Sequence, residues 1–346
     1  MRLGIPLAYS GGFKEAVAGL RDFEAAGVDI VFVAELYSFD AVSQLGYIAA
    51  STNRLGIASG ILPLYSRTPT LTAMTAAGLD YVSDGRFTLG IGASGPQVIE
   101  GFHGVPYDAP LGRTREVVEI CRQVWRREQV VHDGRYYQVP LPADRGTGLG
   151  KPLKIINKPV RDRIPIVLAA MGPKNVELAA EIAEGWEPIF FHPEKARDVW
   201  GPSLAAGQAR RDPALGPLDV VVATPVAIGD DVEHLHDLAR PMLALYIGGM
   251  GARGRNFYND LARRYGYERE AKLIQDLYLE GRKEEAAAAV PAELLRATSL
   301  IGPKGYVRER LNALAAVGVT TLNVTLLAHT HAEQVASVEL VRELLP

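Results

Sequence analysis

RLGIASGILPLYSRTPTLTAMTAAGLDYVSDGRFTLGIG, residues 54–92, contains two apolar runs separated by a helical pattern. The first run, 54–62, and the second, 86–92, are both typical of buried strands. Between them Pro69 occupies the favoured first position of a predicted helix. Because both strands are apolar on both faces, the segment predicts two parallel strands joined by a helix that covers the sheet.

The same alternation of strand and helix continues along the chain. The predicted strands lie at 2–7, 29–34, 54–62, 86–92, 165–170, 187–191, 218–229 and 319–327. Eight strands of this kind favour a closed (β/α)8 TIM barrel over an open α/β sheet. We expect one TIM-barrel domain over 1–346, with a hairpin insertion at about 128–164 and a helical insertion at about 231–302.

The composition sets limits on the partners. The 346 residues are 48% hydrophobic and 22% charged, with a formal net charge of −3. This charge suggests neither a nucleic acid nor an anionic membrane as partner. The start of the sequence lacks a signal-peptide pattern, and no apolar run reaches about 18 residues, so we expect a cytoplasmic protein. Cys121 lies in an apolar helical pattern and is expected to be a buried, inert thiol.

Functional residues of TIM barrels sit at the C-terminal ends of the strands. The segments at these ends are 8–12, 34–40, 59–67, 92–97, 169–174, 190–194 and 326–331. Glu35 directly follows an apolar strand and is expected at the barrel mouth. A carboxylate there is costly unless it is paired or used, which favours a functional role, although capping of the following turn stays open. Asp40 is predicted to be a helix N-cap.

Two glycine segments are candidates for contact with a ligand. Gly60 lies late in the third strand, where glycine marks a bulge, a bend or a close approach to the backbone. Gly172 and Pro173 leave the fifth strand and open a helix, whose free N–H groups favour an anion such as phosphate. Lys174 would add charge, and an ordinary strand-to-helix turn is an equal alternative.

Two other motifs are poor matches to the sites they suggest. Gly90, Gly92 and Gly95 spell G-x-G-x-x-G, but no long helix or acidic strand end follows, so a dinucleotide site is not expected. Backbone N–H groups of this loop remain candidates for a phosphate. The H-x-H pairs at 234–236 and 329–331 lack further ligands, so we predict solvated surface histidines and no metal.

Three blocks of the chain resemble the bacterial luciferase-like superfamily. In 54–97 a strand, a helix that starts at proline, an SxGR turn and a strand ending LGIG follow in the family's order. VWRREQVVHDGRYYQV, 124–139, is similar to the family's W…E…H-x-G-x-x-Y segment, and 164–186 resembles its fifth strand and phosphate loop. Within the superfamily, AELYSFDAVSQLGY (34–47) and GASGPQV (92–98) look most like the branch that uses coenzyme F420.

That branch includes methylenetetrahydromethanopterin reductases and F420-dependent dehydrogenases. The resemblance implies an oxidoreductase that binds F420 non-covalently and moves a hydride to or from C5 of the deazaflavin ring. It also implies a small-molecule substrate and a homodimer. The alternatives are an FMN-dependent monooxygenase of the same fold and an F420-binding barrel without catalysis.

The resemblance also implies roles for particular residues. Glu35, the one catalytic candidate, matches the acidic residue beside the deazaflavin, and a cis peptide bond is expected between Gly60 and Ile61. The residues expected to contact the cofactor are Glu35, Gly60, Ile61, Pro63, Ser94, Gly95, Ala170, Met171 and Gly172. Leu36 stands where F420-dependent glucose-6-phosphate dehydrogenases carry histidine, which argues against that sugar-phosphate chemistry.

Overall fold

The strands follow the predicted apolar runs. The structure, a computed structural model, describes residues 1–7 and 12–346, so most of the candidate segment 8–12 lies outside the described residues. Its strands are β1 Arg2–Pro6, β2 Ile30–Val33, β3 Gly56–Ser59, β4 Leu62–Pro63, β5 Phe87–Gly92, β6 His132–Asp133, β7 Gln138–Val139, β8 Ile166–Ala169, β9 Gly185–Glu187, β10 Asp219–Ile228, β11 Leu300–Gly302 and β12 Thr321–Leu326.

Eight strand positions close into a parallel barrel. The order around it is β1, β2, β3 with its continuation β4, β5, β8, β9, β10 and β12, and β12 pairs with β1. β11 adds to the end of β10, and β6 and β7 form a separate antiparallel hairpin. The (β/α)8 prediction is therefore confirmed, and the hairpin lies within the predicted insertion 128–164.

Helices separate consecutive barrel strands and cover the outside of the sheet. They are α1 Phe13–Ala18, α2 Leu20–Ala26, α3 Ala41–Ser51, α4 Pro69–Val82, α5 Pro96–Ile99, α6 Pro110–Trp125, α7 Pro173–Ile182, α8 Pro193–Gln208, α9 Arg240–Ala244, α10 Phe257–Arg264, α11 Glu268–Leu279, α12 Lys283–Ala288, α13 Ala292–Ala297, α14 Lys304–Ala316 and α15 His331–Leu344. α4 begins at Pro69 as predicted, with Thr68 accepting a hydrogen bond as its N-cap. The division into one domain with two insertions stays a prediction.

The barrel separates two apolar cores. The larger core lies between the sheet and the helices, while a small cluster fills the barrel interior. The interior cluster consists of Ile30, Phe32, Ala58, Val167 and Val221. A Cβ atom on Gly4 would lie 2.6 Å from the Phe32 ring, so the glycine on β1 makes room for this aromatic side chain.

The sixth barrel strand differs from its prediction. Residues 187–191 were expected to form it, but β9 spans Gly185–Glu187. Pro188 follows and has no N–H group to donate to the sheet, and Phe190 has a φ of 49°, which an extended strand does not accommodate. The prediction was therefore wrong by two residues at the start, and Glu187 lies at the end of this strand.

Among the described residues, no helix is both long enough and apolar enough to cross a membrane.

Candidate active site

The third strand bends at Gly60, as its sequence suggested. The Gly60–Ile61 peptide bond is cis, which confirms that prediction, and the chain then continues as β4. The Gly60 N–H donates to the Val33 carbonyl at 2.8 Å. A Cβ on Gly60 would lie 3.2 Å from the Phe32 Cβ atom. A side chain at Gly60 would therefore crowd Phe32 inside the barrel.

Glu35 is buried at the end of β2 and is completely paired. Its two carboxylate oxygens accept from the Arg67 guanidinium at 2.6 and 2.8 Å, and Oε2 also accepts from the Ala41 N–H at 3.0 Å. The Glu35 N–H donates to the Ile61 carbonyl at 3.1 Å. Glu35 thus ties the bend after Gly60, the loop that carries Arg67 and the start of α3 to one another. The contact with the Ala41 N–H confirms the capping alternative, while a role of Glu35 toward a ligand stays a prediction.

The glycines of the G-x-G-x-x-G pattern serve strand packing at the same place. Ser59 Oγ donates to the Gly90 carbonyl at 2.8 Å and accepts from the Gly90 N–H at 2.9 Å. A Cβ on Gly90 would lie 1.9 Å from the Ser59 carbonyl oxygen. A Cβ on Gly92 would lie 2.8 Å from Ile61 Cδ1 and 3.2 Å from Ala169 Cβ. These glycines let β3, β4, β5 and β8 approach closely beside Ile61.

Ser94 and Gly95 continue from β5 over the barrel mouth. Ser94 has a φ of 58°, and its carbonyl accepts from the Tyr107 hydroxyl at 3.4 Å. Gly95 precedes α5, and the Tyr107 ring lies 5.3 Å from the Tyr65 ring. The Tyr65 side chain also lines a cavity of about 410 Å³ that includes Arg67. Ser94 and Gly95, which follow β5, are therefore linked through Tyr107 and Tyr65 to the loop that holds Arg67.

The predicted phosphate loop is an uncapped helix N-terminus. No side chain caps α7 at Gly172, which leaves this helix N-terminus open to an anion. Pro173 has no N–H group and the Asn175 N–H donates to the Gly172 carbonyl at 3.0 Å, so the Gly172 and Lys174 N–H groups are the candidates. A Cβ on Gly172 would meet only Asn175 Nδ2, at 3.9 Å, which leaves open space for a ligand. Lys174 is exposed and pairs with Glu177 at 2.8 Å. Its predicted contribution to the loop thus competes with this ion pair.

Arg264 of α10 brings a second positive charge to this loop. Its guanidinium donates to the Met171 carbonyl at 3.1 Å and to the Val199 carbonyl, and it lies 4.8 Å from the Trp200 ring centre. The Trp186 indole N–H donates to the Ala170 carbonyl at 2.8 Å. No sequence pattern pointed to Arg264, because it lies in the predicted second insertion, away from the strand ends.

Aromatic side chains of the same insertion stand beside the end of β9. The rings of Tyr246 and Tyr258 are 4.6 Å apart, and each lies within 6.3 Å of the Phe190 ring. Burial raises the pKa of the Tyr258 hydroxyl, with a smaller effect from Tyr246 and Tyr107. Tyr258 is therefore uncharged at neutral pH, and these rings form an apolar wall with hydroxyl groups.

The hairpin segment that resembles the family motif has a structural explanation. The Glu116 carboxylate of α6 accepts from the N–H groups of Arg135, Tyr136 and Tyr137 at 2.8–3.2 Å. His132 Nε2 lies 3.3 Å from Glu116 Oε2. Glu116 thereby fastens the hairpin between β6 and β7 to the barrel, so the motif supports the fold of this insertion.

Several smaller predictions can be compared with the structure. Asp40 accepts from the Ser43 N–H at 2.8 Å and is the expected N-cap of α3. Cys121 is buried, and burial raises the pKa of its thiol to about 12, as expected for an inert side chain.

His331 is partly exposed and pairs with Asp22. The prediction of a solvated histidine was wrong for His236, which is buried and lies 3.1 Å from Ser299 Oγ.

Metal ligands would have to be grouped in space. Within residues 1–7 and 12–346, no three His, Cys, Asp or Glu side chains are clustered as a metal site would need.

Glu187 is a residue that the sequence analysis missed. It ends β9 in register with Ala169 of β8, and its carbonyl accepts from the Ala170 N–H at 3.3 Å. Its Oε2 atom is buried and has no hydrogen-bond partner in the part of the chain that the structure describes. Burial raises the pKa of the Glu187 carboxyl to about 7. A correctly placed sixth strand would have identified it, because an acidic residue at a strand end is a candidate in this fold.

The comparisons with known proteins agree with this geometry. The sequence model of the luciferase-like monooxygenase family matches residues 2–321. A Mycobacterium tuberculosis protein provisionally named as a coenzyme F420-dependent oxidoreductase is 43% identical over 94% of this chain and 95% of its own. The 5,10-methylenetetrahydromethanopterin reductase of Archaeoglobus fulgidus is 28% identical, with 92% of each chain covered.

A solved structure gives the same fold. The coenzyme F420-dependent tetrahydromethanopterin reductase of Methanopyrus kandleri superposes with a TM-score of 0.80, at 22% identity, over 99% of this chain and 98% of its own. The chain belongs to the luciferase-like monooxygenase family. The resemblance drawn from the sequence, to that superfamily and to its F420-dependent branch, is confirmed.

The predicted site residues lie at neighbouring strand ends. Glu35 follows β2, Pro63 belongs to β4, and Ser94 lies two residues beyond β5. Ala170 and Met171 connect β8 to α7. Their roles toward a cofactor stay predictions.

Proposed function

We propose that this F420-dependent oxidoreductase moves a hydride between C5 of the deazaflavin and a small organic substrate at the barrel mouth. The observation that carries the proposal is the continuous wall at the strand ends. Ile61 and Ala169 both border the space that a Gly92 side chain would fill. The Ile61 carbonyl accepts a hydrogen bond from the Glu35 N–H. Small residues such as Gly92 and Ala169 leave room for the flat face of a ring.

The protein residues would hold and orient the cofactor, which itself supplies the hydride chemistry when bound. Gly60, Ile61 and Pro63 would back the ring, and Ser94 and Gly95 would line its pocket. The first turn of α7, from Gly172, offers N–H groups for the phosphate, with Ala170 and Met171 leading to it. The nearby guanidinium of Arg264 adds positive charge to that end of the site.

Glu35 would act by position. Its carboxylate oxygens already accept from Arg67 and Ala41, and its N–H donates to the Ile61 carbonyl, so the residue holds the wall around Ile61 in place. The aromatic residues Phe190, Tyr246 and Tyr258 would form the substrate side of the pocket. An apolar wall with a few hydroxyl groups is typical of sites for small organic molecules. A homodimer in the cytoplasm belongs to the same proposal.

Transfer of a labelled hydrogen tests this proposal. Reduced F420 carrying deuterium at C5 would be incubated without oxygen with a panel of ketones, imines and enones. We expect oxidised F420 to form with at least one of them and the deuterium to appear on the carbon of the product. A parallel incubation with reduced FMN under ¹⁸O₂ examines the monooxygenase alternative.

The outcomes separate the three functions. Enzyme-dependent incorporation of ¹⁸O into a product would overturn the proposal in favour of an FMN-type monooxygenase. Tight binding of F420 with no turnover above the rate without protein, across the whole panel, would instead indicate a barrel that binds the cofactor without catalysis.

A further inference from the structure

We infer that Glu187 is a catalytic residue that exchanges a proton with the substrate at the barrel mouth. This inference rests on the proposed function, because hydride transfer to a C=O, C=N or C=C bond must be completed by a proton. Nothing in the sequence resemblance gave Glu187 a role. Glu187 is distinguished by its position on β9, by its buried Oε2 atom and by the apolar residues on the neighbouring strands.

The position of Glu187 follows from the alternation of side chains along β9. A Cβ on Gly185 would lie 3.0 Å from Val167 Cγ2, and Val167 belongs to the cluster inside the barrel. Glu187 is two residues further along the strand, so its side chain is on the same, inward face. Since Gly185 begins β9 and Glu187 ends it, the carboxyl is at the C-terminal end, where barrel active sites form.

Only small residues separate Glu187 from the proposed cofactor wall. Ala169 of β8 is its register partner, and Gly92 of β5 is the register partner of Ala169. Ile61 contacts the place that a Gly92 side chain would fill. Neighbouring strands are about 4.8 Å apart, so Glu187 lies roughly 10 Å from the Gly92 backbone, two strands away. A substrate lying over Ala169 would be within reach of both the Glu187 carboxyl and the proposed cofactor wall.

Among the described residues, no ion pair fixes the charge of the Glu187 carboxyl. Its Oε2 is buried without a hydrogen bond, and within residues 1–7 and 12–346 no cation pairs with it. On the flanking strand β8 the inward residues are Val167 and Ala169, and on β10 Val221 lies inside the barrel. Asp219 of β10, level with Gly185, is paired with Arg2.

These surroundings favour the protonated form. Burial in an apolar setting disfavours a carboxylate, which raises the pKa of Glu187 to about 7. An acid with a pKa near the working pH is suited to both giving and accepting a proton. Glu35 cannot take this part, because Arg67 and Ala41 occupy its oxygens.

The proposed reaction couples the transfer of a hydride to the transfer of one proton. In the reducing direction, the substrate carbon receives the hydride, and the electron pair of its double bond moves to the adjacent atom. That atom takes the proton from Glu187, which is left as a carboxylate and is reprotonated from solvent. The substrate is reduced, and the cofactor is oxidised by the same two electrons. In the oxidising direction, Glu187 accepts the proton from the substrate.

Infrared spectroscopy of the protein without cofactor tests the proton on Glu187. The wild type is expected to show the C=O band of a protonated carboxyl, which disappears as the pH rises through about 7. Glu187→Gln should lack this band. The matched control is Glu177→Gln, which removes an exposed carboxylate that is paired with Lys174 and Arg210 and should leave the band unchanged.

Single-turnover oxidation of reduced F420 by a substrate tests the catalytic role. Glu187→Gln should bind reduced F420 as the wild type does but react about 10²-fold or more slowly. The wild-type rate should fall as the pH rises through about 7, and the variant should lose this dependence. The inference is overturned if the wild type lacks the band or if Glu187→Gln reacts at the wild-type rate. If the wild type neither binds reduced F420 nor oxidises it, the proposed function fails. The infrared band then still decides whether Glu187 carries a proton.

Discussion

Replacing Arg67 with alanine is expected to lower the free energy of unfolding by about 3–5 kcal/mol, because it leaves a buried carboxylate without its cation. Arg67 and Glu35 expose only 14% and 7% of their side chains. Two parallel N–H···O bonds join them, which is the strong geometry for this kind of pair. The Ala41 N–H alone would then remain for the Glu35 carboxylate.

Urea unfolding of Arg67→Ala measures this effect. The matched control is Lys174→Ala, which breaks an ion pair whose lysine side chain is 76% exposed and should cost about 1 kcal/mol or less. Adding Glu35→Gln to Arg67→Ala should recover part of the loss, because the amide is neutral and can still accept from Ala41. An Arg67→Ala midpoint equal to that of Lys174→Ala would contradict the account of Glu35 as a locked, buried carboxylate.

Replacing Gly60 with valine is expected to abolish F420 binding while the barrel stays folded. Even the first carbon of the new side chain would lie 3.2–3.3 Å from Phe32 atoms, and the two methyl groups need more room. Overpacking of this kind costs about 1–3 kcal/mol. Because Phe32 is buried inside the barrel, the backbone at Gly60 must move away from it and disturb the wall around Ile61.

Gly46→Val is the matched control for this prediction. A Cβ on Gly46, in α3, meets nothing within 4 Å, so the same substitution is expected to leave F420 binding intact there. Circular dichroism and the unfolding midpoint would show that Gly60→Val is folded. Normal F420 binding by folded Gly60→Val would mean that Gly60 only ends the strand.

The barrel could be predicted because most of its strands carry their own signal. β2, β5 and β8 are apolar on both faces and are bounded by turn residues, so their pattern depends little on distant parts of the chain. Gly60 was identified for a similar reason, since a glycine late in an apolar strand is a local feature. The reason for that glycine, Phe32 on the neighbouring strand, became visible only in three dimensions.

The parts that could not be predicted depend on long-range contacts. β9 was misplaced because 187–191 looks like a strand by composition, whereas Gly185 and Trp186 are held by pairing with β8 and β10. This error hid Glu187. Arg67 and Arg264 were missed as partners because they meet Glu35 and Met171 across 32 and 93 residues of sequence. No local pattern reports such pairs.

Titration of the purified protein with F420 and with FMN tests the central claim most directly. Fluorescence quenching should show tighter binding of F420. Gly172→Asp should weaken F420 binding more than Lys174→Ala, because the aspartate places a negative charge at the helix N-terminus, whereas Lys174 is already paired with Glu177. Equal or tighter binding of FMN by the wild type would contradict the assignment to F420, and normal F420 binding by Gly172→Asp would show that the phosphate does not lie at this loop.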